Sequence, residues 1–571
     1  MANVCLVGLN SKYVHSCLAV YCLEAGIKEY AKEGIKPIVI ERTIHNDMHM
    51  VADEIMAHHP FLVGISTYIW NVEKVFELVD IIKSKDHDVK ICLGGPEVSY
   101  NQYDVLAKHD NVDFISAGEG EYPFALLCDT LISNSDLDRV MGLSYRDNGS
   151  IVVKEAYVGL DDPVSPYTDT FMNNVNKRIV YIETTRGCPY SCDYCLSGRC
   201  GKVRYFDLDK TFENIIKLAN SSCKTIKFVD RTFNANKKRS KAIISFIINN
   251  SGKSFPSDVC FHFEVAGDIL DDETIELLGS APKGLFQLEI GMQSFNEKTL
   301  AYINRKTNTD ILKKNIRKLL SYNNMHIHID LIVGLPYEDM NSLRDSFNTG
   351  YYLNAHMLQL GFLKILHGAT MDTDKKKYHY HYDDKPPYEI IDTDWLTKEE
   401  MADIHALEDV LDRMNNSGRF LNTLNYLLDV TKSDPFDLLM GFGLYAKDRM
   451  DYKIDLDHYT ALIYDYFKTL DNVDSMALRD QMVIDRLSTN ASGKLCECLK
   501  IADKNIKPYR MALDFVDKPI KNIKRGLEVL YSLNKVVYVD YQDRDVITNQ
   551  YVLKYQDPDF LMNVYRKTQH L

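Results

Sequence analysis

The first 155 residues alternate short, continuously apolar runs with helical stretches, and that alternation leaves few folds open. Val4-Cys5-Leu6-Val7-Gly8, Ile38-Val39-Ile40, Phe61 to Ser66, Val89 to Gly95 and Asp113 to Ser116 each read as a strand; Cys17 to Glu33 and the stretch from Ser66 through Ile82 carry helical periodicity. Strands that are apolar at every position must be covered on both faces. The sequence therefore predicts a parallel, doubly wound α/β sheet over residues 1–155. Ligands of such sheets sit at the carboxyl ends of the strands. Small residues fall at those ends: Gly64-Ile65-Ser66-Thr67-Tyr68, Gly94-Gly95-Pro96-Glu97 and Gly118-Glu119-Gly120-Glu121. Any one of these glycines could simply make a turn, but three such loops on one edge point to a bulky ligand approaching the backbone.

A second feature narrows the chemistry. The segment Ile179 to Glu183 reads as a strand and leads into Thr184-Thr185-Arg186-Gly187-Cys188-Pro189-Tyr190-Ser191-Cys192-Asp193-Tyr194-Cys195. Three thiols within eight residues can wrap one corner of an iron–sulfur cubane. Such clusters usually take four cysteines, so three leave one iron open to a chelating ligand. A zinc site would instead be expected to show two Cys-x-x-Cys pairs. No second pair is present, Cys496-Glu497-Cys498 has the wrong spacing, and Cys200 reads as a bystander. Thirteen cysteines in 571 residues suit a reducing compartment, and the cytoplasm is the expected location. Met1 to Leu9 reads as a buried strand rather than a secretory signal, and no run of 18 apolar residues occurs.

Six strand-like segments follow the pattern of a partial β/α barrel, each ending in polar or small residues: Asp230 to Asn234 after Thr225–Val229, Glu264 after Val259–Phe263, Gln293-Ser294 after Leu285–Ile290, Gly334 after Ile327–Val333, and His367-Gly368 after Leu358–Leu363, besides the cysteine loop itself. Barrel folds place their sites at those ends.

The glycine-edged sheet resembles the cobalamin-binding domain that precedes many radical S-adenosylmethionine (SAM) domains, a Rossmann-like fold. The carrying elements are Ser66-Thr67-Tyr68, Gly94-Gly95-Pro96 and Gly118 to Glu121. The spacing Cys-x-x-x-Cys-x-aromatic-Cys resembles that of the radical SAM superfamily, and the barrel run resembles the subgroup holding the anaerobic coproporphyrinogen oxidases and the methylthiotransferases. The resemblance implies a [4Fe–4S] cluster on Cys188, Cys192 and Cys195 whose open iron chelates SAM, and reductive cleavage to a 5′-deoxyadenosyl radical fed by an external donor such as flavodoxin or ferredoxin. It implies SAM contacts from Tyr194, Asp230, Glu264, Gln293 and Arg305; the last four read equally as barrel salt bridges or hydrogen bonds. Cobalamin contacts would come from Tyr13, His15, Ser66, Thr67, Tyr68, Gly94, Gly95, Pro96, Glu97, Gly118, Glu119, Gly120 and Glu121. One departure matters: the Asp-x-His-x-x-Gly signature that supplies a cobalt ligand is absent, the corresponding loop being Asn10-Ser11-Lys12-Tyr13-Val14-His15-Ser16. The expectation is a lower cobalt face without a histidine, with His15 hydrogen-bonding or capping its loop.

The expected organisation is thus a cobalamin-binding domain over 1–155, an extended linker over 156–178 containing Asp161-Asp162-Pro163 and Ser165-Pro166, a partial (β/α)6 radical SAM barrel over 179–370, and a mainly helical domain over 371–571 that recognises substrate or closes the barrel. Lys375-Lys376-Lys377 marks the boundary, Tyr378-His379-Tyr380-His381-Tyr382 reads as a solvent-facing edge strand, and Val536 to Val539 as an isolated strand. The leading function is C-methylation of a small-molecule or lipid substrate. The alternatives are a cobalamin-dependent cyclase or oxidative enzyme, an RNA-modifying enzyme, and a non-catalytic cobalamin or redox sensor. A net charge of −14 argues against a nucleic-acid partner. Chemistry that uses both cofactors on one substrate needs reacting atoms within roughly 3–3.5 Å, so the glycine edge and the cysteine loop should face one cavity.

Overall fold

The computed structural model describes residues 2–32, 34–200, 202–374, 377–450, 453–501 and 505–569. Two compact units emerge: Met1–Glu289 with Lys298–Asn315 and Phe362–Asp394, and Ile290–Glu297 with Ile316–Gly361 and Trp395–Leu571. Lys375 and Lys376 of the expected boundary lie outside the described residues.

The first unit opens with strands β1 (Ala2–Asn10), β2 (Ile35–Thr43), β3 (Pro60–Ser66), β4 (Lys90–Gly94) and β5 (Phe114–Ser116). They are parallel and ordered β2-β1-β3-β4-β5, which puts a topological switch point between β1 and β3. Helices α1 (Leu18–Tyr30), α2 (Met48–Met56), α3 (Val72–Lys85), α4 (Gln102–Lys108) and α5 (Glu121–Ser133) cover the sheet. Both faces being covered explains the unbroken apolar strands: Cys5, Val7, Val63, Ile65, Ile91 and Leu93 pack on one face with Val51 and Ile55 of α2 and Val75, Leu78 and Ile82 of α3, and on the other Phe124 of α5 and Leu6 lie over Gly64. Two further strands, β6 (Leu143–Asp147) and β7 (Ser150–Val152), join antiparallel at the β5 edge through an Asn148-Gly149 turn with positive φ at both residues. That dipeptide is a strong hairpin signal the strand reading passed over.

The connector departs from the expected extended linker in one respect: Asp169–Asn174 is a short helix, its N-terminus capped by Thr168, whose hydroxyl accepts from Phe171 N–H. Beyond it β8 (Val180–Ile182) runs parallel to β11 (Thr225–Phe228), and β11 to β12 (Cys260–Val265). Between β8 and β11 lies a small antiparallel pair, β9 (Thr185–Arg186) with β10 (Arg204–Tyr205). Strand β13 (Phe286–Gln293) passes from the first unit into the second.

The second unit holds β14 (His326–Val333) and β15 (Met357–Phe362), then a helical region. Its first helix, Lys398–Val410, starts at a capping box in which Thr397 and Glu400 satisfy each other's backbone N–H. The expected isolated strand is not isolated. Lys535–Asp540, β17, pairs antiparallel with β16 (Arg525–Leu530) and β18 (Lys554–Gln556), and its Val536 and Tyr538 pack on Ala512, Leu513 and Leu561 of two flanking helices. Of the Tyr378–Tyr382 run, His381–Tyr382 alone is strand, and His379 and His381 are exposed and face Asp394 and Asp392.

Candidate functional site

The cysteine loop hangs from the end of β8 and is anchored at three points. Asp230, fully buried just past β11, accepts hydrogen bonds from Thr184 N (2.8 Å), Thr185 N (3.1 Å) and the Thr184 hydroxyl. Burial pushes this carboxyl up to about 6, against those hydrogen bonds. Both Asp230 oxygens are thus engaged with the root of the loop. The second anchor is Arg186. Its guanidinium donates to Glu119 (2.5 Å), Glu121 (2.5 Å) and Glu183 (2.9 Å), while Arg204 donates to Glu119 from the other side (2.7 Å). The third is Arg305, which reaches Cys192 Sγ through Nη1 at 3.9 Å and lies over the Tyr190 ring.

The three thiols are free of disulfides. Cys188 Sγ lies 3.4 Å from Thr232 Oγ1, and Cys195 Sγ accepts from Ser197 N–H at 3.4 Å. The Tyr194 hydroxyl also hydrogen-bonds Cys192; burial raises the Cys192 thiol and the Arg305 charge opposes it. A cluster's thiolates and sulfides are stabilised by such donors, so the donor set fits a cubane held by these three residues. The loop's outer side is closed by Asp193, which accepts from the Lys377 ammonium (3.0 Å) and from the Tyr378 hydroxyl. Glu264 is half-buried at the end of β12. Gln293 ends β13 with a left-handed φ of 69° and belongs to the second unit, so Tyr194, Asp230, Glu264 and Arg305 are the expected SAM contacts that share the first unit with the cysteines.

The glycine edge is built differently from its sequence reading. Gly95 has φ +114°, and a Cβ there would lie 2.5 Å from the Thr67 carbonyl; Gly118 has φ +88°, with the Tyr157 carbonyl at 2.2 Å. At both positions the close approach is by the protein's own backbone. Gly120 likewise faces Leu23, whereas Gly94 meets nothing nearer than Ser116 O at 3.3 Å. Thr67 is buried, Pro96 exposed, and Tyr68 stacks on the exposed Trp70 at 4.3 Å. Glu97 is buried and accepts from the Tyr388 hydroxyl; burial raises its carboxyl and this hydrogen bond lowers it. Glu119 and Glu121, drawn from the same motif, are occupied by Arg186 and Arg204.

Tyr13 is exposed on the loop after β1. His15 pairs through Nδ1 with the Tyr181 hydroxyl at 2.7 Å, and Ile179 N donates to Val14 O at 2.7 Å. That loop is therefore stitched to β8, and His15 makes the hydrogen bond expected of it. At the switch point, Ser66 Oγ lies 3.2 Å from Cys17 Sγ. One residue escaped the sequence reading: the Ser116 hydroxyl at the carboxyl end of β5 is buried without a hydrogen-bond partner, beside Gly94 in register. A buried orphan hydroxyl on the ligand edge of a doubly wound sheet suits a polar ligand group. It also fits a cofactor with amide and phosphate substituents. The signal available was its place as the last strand residue before Gly118.

Comparison with known proteins follows this layout. The B12 binding domain family matches residues 5–127, the Radical SAM superfamily residues 182–349, and a family described as a protein of unknown function (DUF4080) residues 376–551. The chain is 28% identical over 344 residues to the cobalamin-dependent radical SAM methyltransferase TokK of Streptomyces tokunonensis, covering 56% of this chain and 49% of TokK. It is 26% identical over 340 residues to the 2-(S-pantetheinyl)-carbapenam-3-carboxylate methyltransferase of Streptantibioticus cattleyicolor, again 56% and 49%. The chain spans about half the length of these curated relatives. Among solved structures, the cobalamin-dependent S-adenosylmethionine radical enzyme OxsB shares the fold with a TM-score of 0.59 at 14% identity, over 85% of this chain and 79% of that one. Among the described residues no helix is long and apolar enough to cross a membrane.

Proposed function

We propose that this chain, which belongs to the radical SAM proteins that carry a B12 binding domain, is a cobalamin-dependent radical SAM enzyme that methylates carbon in a small-molecule or lipid substrate. The observation that carries the reading is Arg186: two residues before Cys188, it is ion-paired to the Glu119–Glu121 loop at the carboxyl edge of the first sheet. One side chain thereby ties the cysteine loop to the ligand edge of the B12-type domain.

Cys188, Cys192 and Cys195 would hold a [4Fe–4S] cluster that, with SAM bound, supplies one-electron cleavage of the sulfonium and hydrogen abstraction from substrate. Cobalamin at the switch-point edge would supply the methyl group. The chain's own part is placement and shielding. Asp230 fixes the loop root, Arg305 and Ser197 N–H donate to the sulfurs, and Tyr194 closes the turn on Cys192. Tyr68 and Trp70 present a stacked pair of rings on the first sheet's edge, and Ser66 and Ser116 offer hydroxyls there. The electron comes from a low-potential external donor of the flavodoxin or ferredoxin class.

The test is anaerobic purification with reconstitution, absorption spectra that resolve cluster and cobalamin bands, and incubation with reductant and SAM deuterated in its methyl group. Deuterated methyl appearing in a product supports the reading. Cleavage of SAM with unlabelled product would move the assignment to a cyclase or oxidative enzyme, and absence of both cofactors would remove it.

A further inference from the structure

The region matched by the family of unknown function contains a cysteine pair that the proposed chemistry does not use. Cys496 and Cys498 flank Glu497 at a short turn, Glu497–Leu499, and their sulfurs lie 3.1 Å apart. Burial raises most of the chain's other thiols: Cys5 and Cys92 are pushed up to about 12, Cys17 and Cys260 to about 11. Cys496 moves the other way. The Cys498 thiol hydrogen-bonds it, burial opposes, and the Leu499 N–H and the Arg486 charge add to the stabilisation of its thiolate.

Arg486 provides the independent observation. Its guanidinium is nine-tenths buried; Nε donates to Lys494 O at 3.1 Å and Nη2 to Asp457 at 2.6 Å, but Nη1 is buried with no hydrogen-bond partner. A buried cationic N–H without an acceptor, on a guanidinium whose charge favours the Cys496 thiolate, is a donor open to an anion. Leu495 and Lys500, just outside the turn, line an open cavity of about 570 Å3; Cys496 is buried and Cys498 half-buried.

We propose that Cys496 and Cys498 form a redox-active dithiol that closes reversibly into an intramolecular disulfide by exchange with an external disulfide. One of the two thiolates attacks one sulfur of the incoming disulfide, the S–S bond breaks, and one thiolate leaves and takes up a proton. The other cysteine then loses its proton and attacks the protein sulfur of the mixed disulfide 3.1 Å away, expelling the second thiolate. Two electrons leave the dithiol and the external disulfide becomes two thiols. The charged groups facing the pair are Arg486 and Asp457 at Cys496, and Asp465 and Lys468 at Cys498.

The test uses the full chain, held without oxygen in glutathione buffers of stepped oxidised-to-reduced ratio, then acid-quenched, alkylated and digested. The peptide carrying both cysteines is expected to lose its two alkyl groups together and to become lighter by two hydrogens as the buffer turns oxidising. In either single serine variant the mixed disulfide accumulates on the remaining cysteine, because the resolving thiol is gone. Arg486→Gln in the Cys498→Ser background moves the alkylation profile of Cys496 to higher pH. Two thiols that stay fully alkylatable across the series, or that are modified independently of each other, overturn the proposal. The wild-type titration decides this without any variant having to fold, and it reads nothing from SAM cleavage, so its outcome is separate from that of the proposed activity.

Discussion

Replacing Arg186 with glutamine isolates the tie between the cysteine loop and the first sheet. Three carboxylates surround this guanidinium, with side-chain exposures of 18% (Glu119), 9% (Glu121) and 21% (Glu183), and among the described residues Arg204 is the one other cation paired to the group, through Glu119. Removing one partner of a buried pair costs about 3–5 kcal/mol, because the remaining charge is left desolvated. Partial exposure sets the expectation at the lower end, about 3 kcal/mol near pH 8. The cost should shrink as pH falls. In the intact protein Glu121 is held below its ordinary value, since Arg186 outweighs burial; a depressed carboxyl contributes stability above its unfolded value and loses it as pH drops through the folded one. Glu183 is already raised by burial in the intact protein; without Arg186, burial and the neighbouring carboxylates push Glu121 above its ordinary value and Glu183 further up, so in the variant these groups lose stability as pH rises. Each unit of that rise is worth about 1.4 kcal/mol. The first effect sets in below pH 4.5, the ordinary value of Glu121, and the second widens the gap from pH 5 upward. Urea unfolding of cluster-free protein, followed by circular dichroism at pH 5 to 8, measures it. The double variant Arg186→Gln with Glu121→Gln should regain part of the loss, because it removes an uncompensated charge. A difference under about 1 kcal/mol at pH 8, the range of a solvent-exposed pair, or one that does not change with pH, refutes the reasoning.

Substituting Cys188, Cys192 and Cys195 together by alanine should reduce iron and sulfide after anaerobic reconstitution to background; a full cluster in that variant contradicts the assignment. Cobalt(II) paramagnetic resonance of cobalamin-loaded protein should lack a nitrogen triplet from the chain and be unchanged by His15→Ala, since the His15 ring is committed to Tyr181; a triplet lost in the variant contradicts it. Gly95→Ala should cost about 3 kcal/mol or more, strain and collision together, while Gly34→Ala, at φ +102° with nothing within 4 Å, should cost about 1–2 kcal/mol. Thermal unfolding compares the two, and equal losses would show that the Thr67 carbonyl yields.

The parallel sheet was legible because burial on both faces leaves a run of apolar residues with no gap, as in Val4 to Val7, and the cysteine loop because thiol spacing survives as spacing in the chain. What was not legible depends on partners distant in sequence. Glu119 and Glu121 read as ligand residues from their motif, yet Arg186 lies 67 and 65 residues away and takes both. Gly95 and Gly118 read as places where a bulky ligand approaches, whereas the close neighbours are the Thr67 and Tyr157 carbonyls, partners set by the folded backbone and not by the local motif. Val536 to Val539 looked isolated because its partners, Arg525–Leu530 and Lys554–Gln556, are short and mixed in polarity. The Asn148-Gly149 hairpin, by contrast, was a local signal that could have been read.

The anchors of the cysteine loop have a common physical character that bears on how a cofactor site is assembled. Asp230, Arg186 and Arg305 are each charged and largely buried, and each meets its partners on a different segment: the loop root for Asp230, the first sheet's edge for Arg186, the Cys192 sulfur for Arg305. A buried charge is tolerated where its partners are in place and is costly where one is missing. The loop therefore has little freedom to form alone: Arg186 cannot be desolvated until Glu119 and Glu121 are delivered by the folded doubly wound sheet. Order in the thiol loop is thus conditional on the first domain. The same coupling holds the thiols ready for iron, because the donors to Cys192 and Cys195 are already in position when the anchors close. It follows that damage to the glycine edge, by a Cβ at Gly118 for instance, should lower iron incorporation at Cys188, Cys192 and Cys195, although such a Cβ would collide with Tyr157 and not with the cysteine loop. Iron incorporation equal to wild type in an unfolded or displaced first sheet would break that chain of reasoning at its Arg186 link.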